Sequence, residues 1–126
     1  MILDSSAVVA ILRDEPDAPA LAAAIDAGPT MAMSAAAYLE TSIVITPQLH
    51  PPLDELVNDI PVTVVPFDAD LARLARDAYA RFGRSSGSPA RLNFGDCCSY
   101  ALAKARDEPL LFKGDDFTHT DITPAI

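Results

Sequence analysis

Five carboxylates stand out in this chain for their setting: Asp4, Glu40, Asp96 and the adjacent pair Asp115 and Asp116. Asp4 closes the apolar opening MILD, Asp96 stands near the start of a helix in LNFGDCCSYALAK, and Asp115 and Asp116 follow the apolar run in EPLLFKGDDF. Glu40 has Ala36, Ala37, Ile43 and Val44 at the three- and four-residue spacings of a helix, so its carboxylate stands on an otherwise apolar face. Each acid has an ordinary alternative. Capping and the helix dipole favour aspartate at a helix N-terminus, which covers Asp4 and Asp96. A lone glutamate can meet an arginine or a backbone donor. Taken together, Asp4, Glu40, Asp96 and Asp116 at one end of one sheet would repel one another and raise their pKa values unless a cation neutralised them. An all-oxygen donor set suits magnesium, with manganese as a substitute.

The elements that must position these acids alternate in type. MILD reads as a short strand, and AVVAILRDE as a helix with Ser5 or Ser6 as its cap. ALAAAIDAG is a second helix stopped at Gly28, TMAM a second strand, and Ser34 the N-cap of the helix AAAYLETSIVI. Pro47, Pro51 and Pro52 are expected to break that helix, with a short helix DELVND after them. VTVVPF is a β-branched run of the kind found in buried parallel strands. DADLARLARDAYARFG puts Leu71, Leu74, Ala75, Ala78 and Phe82 on one stripe, with Asp68 or Asp70 as cap and Gly83 as terminator. The loop RSSGSPAR leads to a helix beginning near Gly95, then a strand EPLLF and a weak last strand near Asp121 to Thr123. Strands alternating with helices predict an α/β fold with a mainly parallel sheet, in which ligands bind beyond the carboxyl ends of the strands. Asp4 and the Asp115–Asp116 pair both fall at that edge.

Composition narrows the class. A chain of 126 residues, half of them hydrophobic and without low-complexity runs, reads as one globular domain. The opening MILDSSAVVAIL is interrupted by Asp4 and too short to span a bilayer, which points to a soluble cytoplasmic protein with no membrane partner. Cys97 and Cys98 are adjacent in a helix and read as small core residues rather than a disulfide. The formal net charge of −9 runs against a nucleic-acid partner, but its distribution does not. No lysine or arginine lies between Asp14 and Ala72, whereas Arg73, Arg76, Arg81, Arg84, Arg91, Lys104, Arg106 and Lys113 crowd the stretch that follows. The ordinary reading of these cations is a solvated helix face; the functional one is a face that grips a polyanion. His50 and His119 lack zinc spacing and are expected in loops, RFGRSSGSPAR has no phosphate-loop pattern, and Ser6 stands where a haloacid-type phosphatase wants a second aspartate.

ILDSSA, the Glu40 helix, LNFGDCCSYALAK and LLFKGDDF together resemble the PIN-domain family, and in particular the VapC toxins of type II toxin-antitoxin pairs. The resemblance runs over nearly the whole chain and implies a single PIN-like domain over residues 1–126, a three-layer α/β/α sandwich. It implies a magnesium-dependent endoribonuclease that cleaves structured RNA, transfer or ribosomal, and inhibits translation and growth until an antitoxin neutralises it. Asp4, Glu40 and Asp96 match the family's first three acids, Asp116 before Phe117 fits the fourth, with Asp115 as the near alternative, and Ser6 matches the small polar residue that supports the site. Those five acids are the candidate metal ligands. Arg84, Arg91 and Lys113 are candidates, by charge and loop position, to contact the RNA backbone. A VapB-type antitoxin, with a basic residue entering the acidic groove, and a homodimer are the partners implied. The middle segment TPQLHPPLDELVNDIP departs from the family pattern, being short and rich in proline. The competing class is a non-catalytic binder, either a degenerate nuclease or a receiver-like module with Asp68 as phosphoacceptor and Lys113 as its lysine, which leaves Glu40 and NFGDC unexplained.

Overall fold

The computed structural model describes residues 1–28, 30–60 and 62–126. Its elements run β1 (Ile2–Leu3), α1 (Ser5–Leu12), α2 (Ala18–Ala27), β2 (Met31–Ser34), α3 (Ala35–Val44), α4 (His50–Asp59), β3 (Val62–Val65), α5 (Ala69–Phe82), α6 (Phe94–Arg106) and β4 (Leu110–Leu111), with 3-10 turns at Pro47–Leu49 and Asp116–His119. The four strands form one parallel sheet in the order β3-β2-β1-β4. Ile2 pairs with Ala32 on one side and Leu110 on the other, so β1 is the hub of the sheet.

Strand alternation sends side chains to two separate cores. Ile2, Ala32 and Leu110 face Leu71, Ala78, Ala101 and Leu102 of α5 and α6. Leu3, Met31, Met33 and Leu111 face the other way, onto Val8, Leu21, Ala37 and Leu53 of α1 to α4. Helices therefore cover both faces of the sheet, and the expected three-layer sandwich is what the chain adopts.

Local chemistry accounts for the boundaries that differ from expectation. Of the caps read for α1, Asp4 rather than Ser5 or Ser6 is the one used: its side chain accepts the Ser6 N–H. Pro51 and Pro52 do not hold off a helix until residue 54; they sit in the first turn of α4, where the missing N–H groups have no partner to lose. His50 opens that helix and faces the Ser42 carbonyl through Nε2, and His119 lies in the last 3-10 turn, so neither is in an open loop. VTVVPF is an edge strand with Thr63 and Val64 exposed, not a buried one. EPLLF shortens to Leu110–Leu111, because Pro109 gives its carbonyl to Ile2 but has no N–H for the ladder. The last strand reduces to one bridge, in which the Leu110 N–H reaches the Thr123 carbonyl and the Ala125 N–H reaches the Leu110 carbonyl.

Leu3 is fully buried next to Asp4, at the meeting of β1, β4 and α1. Leu3→Ala is expected to lower the unfolding free energy by about 2–5 kcal/mol, read from the shift in urea midpoint at constant slope.

Candidate active site

Asp4 leaves the sheet at the carboxyl end of β1 and is 1% exposed. Its two oxygens have different fates. Oδ2 accepts the Ser6 N–H at 3.0 Å and the Ser6 hydroxyl at 2.5 Å. Oδ1 is buried and has no hydrogen-bond partner among the described residues. The Ser6 hydroxyl also accepts the Lys113 N–H at 3.0 Å, which ties the start of α1 to the segment after β4. Ser6 thus sits where a supporting residue for Asp4 was expected.

Glu40 comes from the middle of α3. The apolar face that marked it out in the sequence is only half a face, since Ile43 is 73% exposed while Ala37 is buried. Among the described residues the Glu40 carboxylate meets neither an arginine nor a backbone donor: Oε2 accepts the Ser5 hydroxyl at 2.8 Å. It also lies directly over Gly95, where a Cβ would collide with both of its oxygens. Gly95 is thus a close-approach glycine inside a helix, where the residue type otherwise costs stability.

Asp96 stands at the third position of α6, in a reciprocal capping box with Asn93. The Asn93 side chain accepts the Asp96 N–H at 2.9 Å, and Asp96 Oδ2 accepts the Asn93 N–H at 2.8 Å. Burial pushes the Asp96 carboxyl up to about 7; the hydrogen bond from Asn93 opposes this, and the charges of Asp4, Asp116 and Glu40 add to it. Asp116, and not Asp115, is among the charges that push Asp96 up, and the 3-10 turn at Asp116–His119 that carries it is anchored by buried Phe117 packed on Phe112, ring centroids 5.0 Å apart. Asp115 and Asp116 are both exposed, and Asp115, at the start of that turn, makes no side-chain cap. Asp4, Glu40, Asp96 and Asp116 come from four different elements, and the charges of the other three are felt at Asp96. Among the described residues no three His, Cys, Asp or Glu side chains are drawn together closely enough to hold one ion as they stand.

The basic residues do not share one fate. Arg84 and Arg91 are exposed on the α5–α6 connection, Arg91 with a left-handed backbone at φ 50. The Lys113 ammonium is engaged by Glu15 at 2.5 Å and Asp17 at 3.2 Å. Asp68 caps α5 through the Leu71 N–H and follows the edge strand, remote from the hub where a receiver would carry its phosphoacceptor. Cys97 and Cys98 are buried free thiols, each pushed up to about 11, chiefly by burial. No described helix is long and apolar enough to cross a membrane. Sequence reasoning missed Ser5, Asn93 and Gly95. Two signals were there: Asn-x-x-Asp has the spacing of a capping box, and a glycine two residues into a helix invites the question of what lies against it.

Comparison with known proteins gives this geometry a family. Residues 1–122 match the PIN domain. Ribonuclease VapC28 of Mycobacterium tuberculosis is 54% identical over 130 residues, covering 100% of this chain and 98% of that one. Ribonuclease VapC42 of the same organism is 49% identical over 129 residues, covering 99% and 98%. Among solved structures, M. tuberculosis VapC20, described as a Sarcin-Ricin loop cleaving toxin, superposes with a TM-score of 0.79 at 16% identity, over 97% of this chain and 95% of that one. A toxin-antitoxin complex from Klebsiella pneumoniae superposes with a TM-score of 0.68 at 14% identity, over 92% and 88%. At those identities the two structures speak for the fold. The chain belongs to the PIN-domain family and, within it, to the VapC ribonucleases. VapC ribonucleases are endoribonucleases, and PIN-domain nucleases generally use a divalent metal.

The raised Asp96 pKa fixes the sign of a pH effect. A carboxyl that holds its proton more tightly folded than unfolded adds stability below about pH 4, and that stability is lost as the pH rises through the folded value near 7. In metal-free buffer, wild type should therefore lose unfolding free energy relative to Asp96→Asn between pH 4.5 and 7.5. Allowing for solvent screening, the loss is on the order of 2 kcal/mol, measured by urea titration at each pH. A flat difference between the two proteins would show that Asp96 titrates normally.

Proposed function

We propose that this VapC-family toxin is a magnesium-dependent endoribonuclease whose ligands are Asp4, Glu40, Asp96 and Asp116, with manganese as a substitute. The observation that carries this is the buried, unpartnered Oδ1 of Asp4, at the point where the charges of Glu40 and Asp116 also reach Asp96. A buried acceptor without a donor is rare, and a hard cation is the partner that an all-carboxylate set suits. The residues present thus fit the metal by donor chemistry, although side chains would have to draw in to coordinate it. When bound, the ion would lower the pKa of a water and stabilise charge on a phosphate.

The chain's own groups do the positioning. Ser6 holds Asp4 through Oδ2 and so presents Oδ1. Ser5 and the bare backbone of Gly95 hold Glu40 between them. Asn93 orients Asp96. Asp115, a residue away and exposed like Asp116, is left as the near alternative to it. Arg84 and Arg91, exposed and without an ion pair among the described residues, are suited to an RNA backbone, and Lys113 would first have to leave Glu15 and Asp17. The substrate is a structured RNA, transfer or ribosomal, cut in an unpaired loop in the cytoplasm, since such loops present bases and backbone together. The cluster of acids suits a basic side chain of a VapB-type antitoxin, and a homodimer is the assembly this reading carries.

The test is to map new RNA 5′ ends after brief induction of wild type, Asp4→Asn and Glu40→Gln at matched protein levels. One dominant wild-type cleavage site, with both variants reduced about a hundredfold or more, is expected. Equal profiles from three folded proteins free of antitoxin would remove the nuclease reading.

Gly95→Ala separates site from scaffold. Alanine improves helix propensity by about 1 kcal/mol, but its Cβ must displace the flexible end of Glu40. Thermal stability should hold or rise while magnesium-dependent cleavage falls about ten- to a hundredfold; unchanged cleavage would mean that the Glu40 position is not needed.

A further inference from the structure

A cavity of about 630 Å³ opens between α5 and the N-terminal turns of α6. Its volume is in the range of small-molecule sites. Three aromatic side chains line it, Phe67, Tyr79 and Phe94, together with Arg76, Arg84 and Asn93. No acid is among its lining residues, in a chain whose formal charge is −9. Phe94 is 80% exposed. A phenylalanine so bare, on the first turn of a helix and two residues before Asp96, is not serving the core.

The cavity adjoins the turn of α6 that carries Asp96. Asn93 lines it and also accepts the Asp96 N–H, so the same turn of α6 forms the wall of one and holds a carboxylate of the other. Among the described residues Arg84 makes no ion pair, and Arg76 has only a 4.0 Å approach to its neighbour Asp77. Aromatic faces beside uncommitted guanidinium groups are the elements with which proteins hold unpaired nucleotides: rings stack on the bases and cations follow the phosphates.

We propose that this cavity receives one unstacked nucleobase of the RNA, that of the nucleotide adjoining the phosphate held at the acid cluster. Phe94 stacks on the base, the Asn93 amide faces its edge, and Arg76 and Arg84 face the flanking phosphates. The inference rests on the nuclease reading above and adds to it a base-binding subsite. Charge complementarity favours a nucleotide over a second copy of this acidic chain.

The test compares binding of a fluorescein-labelled oligoadenylate octamer with that of an abasic octamer of equal phosphate charge, by anisotropy in EDTA so that nothing is cut. Wild type is expected to prefer the base-bearing octamer. Phe94→Ala should weaken binding of oligoadenylate about tenfold and of the abasic octamer less than twofold, with Phe94→Tyr close to wild type. Arg84→Gln should weaken both alike and reduce the salt slope by about one. Phe94→Ala losses equal on the two octamers, or absent from both, overturn the proposal. A change from dimer to monomer in sedimentation on Phe94→Ala, with base preference intact, also overturns it and assigns the cavity to a second copy. The nuclease reading fails separately: base-dependent binding by a wild type that cuts no RNA with magnesium supports the cavity and removes the enzyme.

Discussion

The buried carboxylate of Asp4 is the constraint around which the structure is organised. It sits at the end of the hub strand, almost without solvent, with one oxygen committed to Ser6 and the other to nothing. A group in that state disfavours folding unless something else secures its position. Here the security comes from both sides. The Asp4 N–H donates to the Leu111 carbonyl, and the Lys113 N–H donates to the serine that holds Asp4. The loop after β4 and the cap of α1 are thus one hydrogen-bonded unit. Neither can relax without uncovering the carboxylate.

Topology explains why the other acids arrive at the same place. With strand order β3-β2-β1-β4, the chain moves outward from β1 to β3 on one side and then returns to the other side of β1. The connections leave β1 and β4 in opposite directions, and a parallel sheet has its crevice at such a reversal. Asp4 marks the end of β1, and Asp116 follows β4. Glu40 reaches in from α3, which starts immediately at the end of β2 because Ser34 is at once the last strand residue and the N-cap. Asp96 comes from the start of α6, across from Glu40, at a distance set by the absent side chain of Gly95.

Legibility in the sequence followed the range of the interaction that decided each feature. Ser34, Gly28 and the α5 stripe could be read because caps and amphipathic periods are local. The four acids could be read as a set because buried-looking charges in apolar surroundings are improbable together, and the match to PIN-domain motifs supplied their pairing across the chain. The edge position of β3 could not be read, since a β-branched run looks the same at an edge and at a centre and only strand order separates them. The contacts Ser5–Glu40, over 35 residues, and Gly95–Glu40 are tertiary, and a sequence shows the residue types but not which of them meet. The proline-rich segment misled for a local reason: the same residue ends a helix or begins one, depending on which turn it occupies.

Two opposing effects act on the acids, and comparing them says what the site is built to do. Helix N-termini stabilise nearby anions, and both Asp4, the cap of α1, and Asp96, at the third position of α6, have that benefit. If this were enough, Asp96 would titrate low, as a capping aspartate normally does. It is instead pushed up to about 7, first by burial and further by the neighbouring acids, against the pull of its own capping bond. Desolvation and repulsion therefore outweigh the dipole. The fold could have relieved both by turning Asp96 outward, just as Asp115 and Asp116 are both exposed on the turn after β4. It holds Glu40, Asp4 and Asp96 in place through Ser5, Ser6 and Asn93, at a cost in stability and, among the described residues, with no partner for Asp4 Oδ1. In a family whose nucleases generally use a divalent metal, a cation beside these acids would relieve both the desolvation and the repulsion.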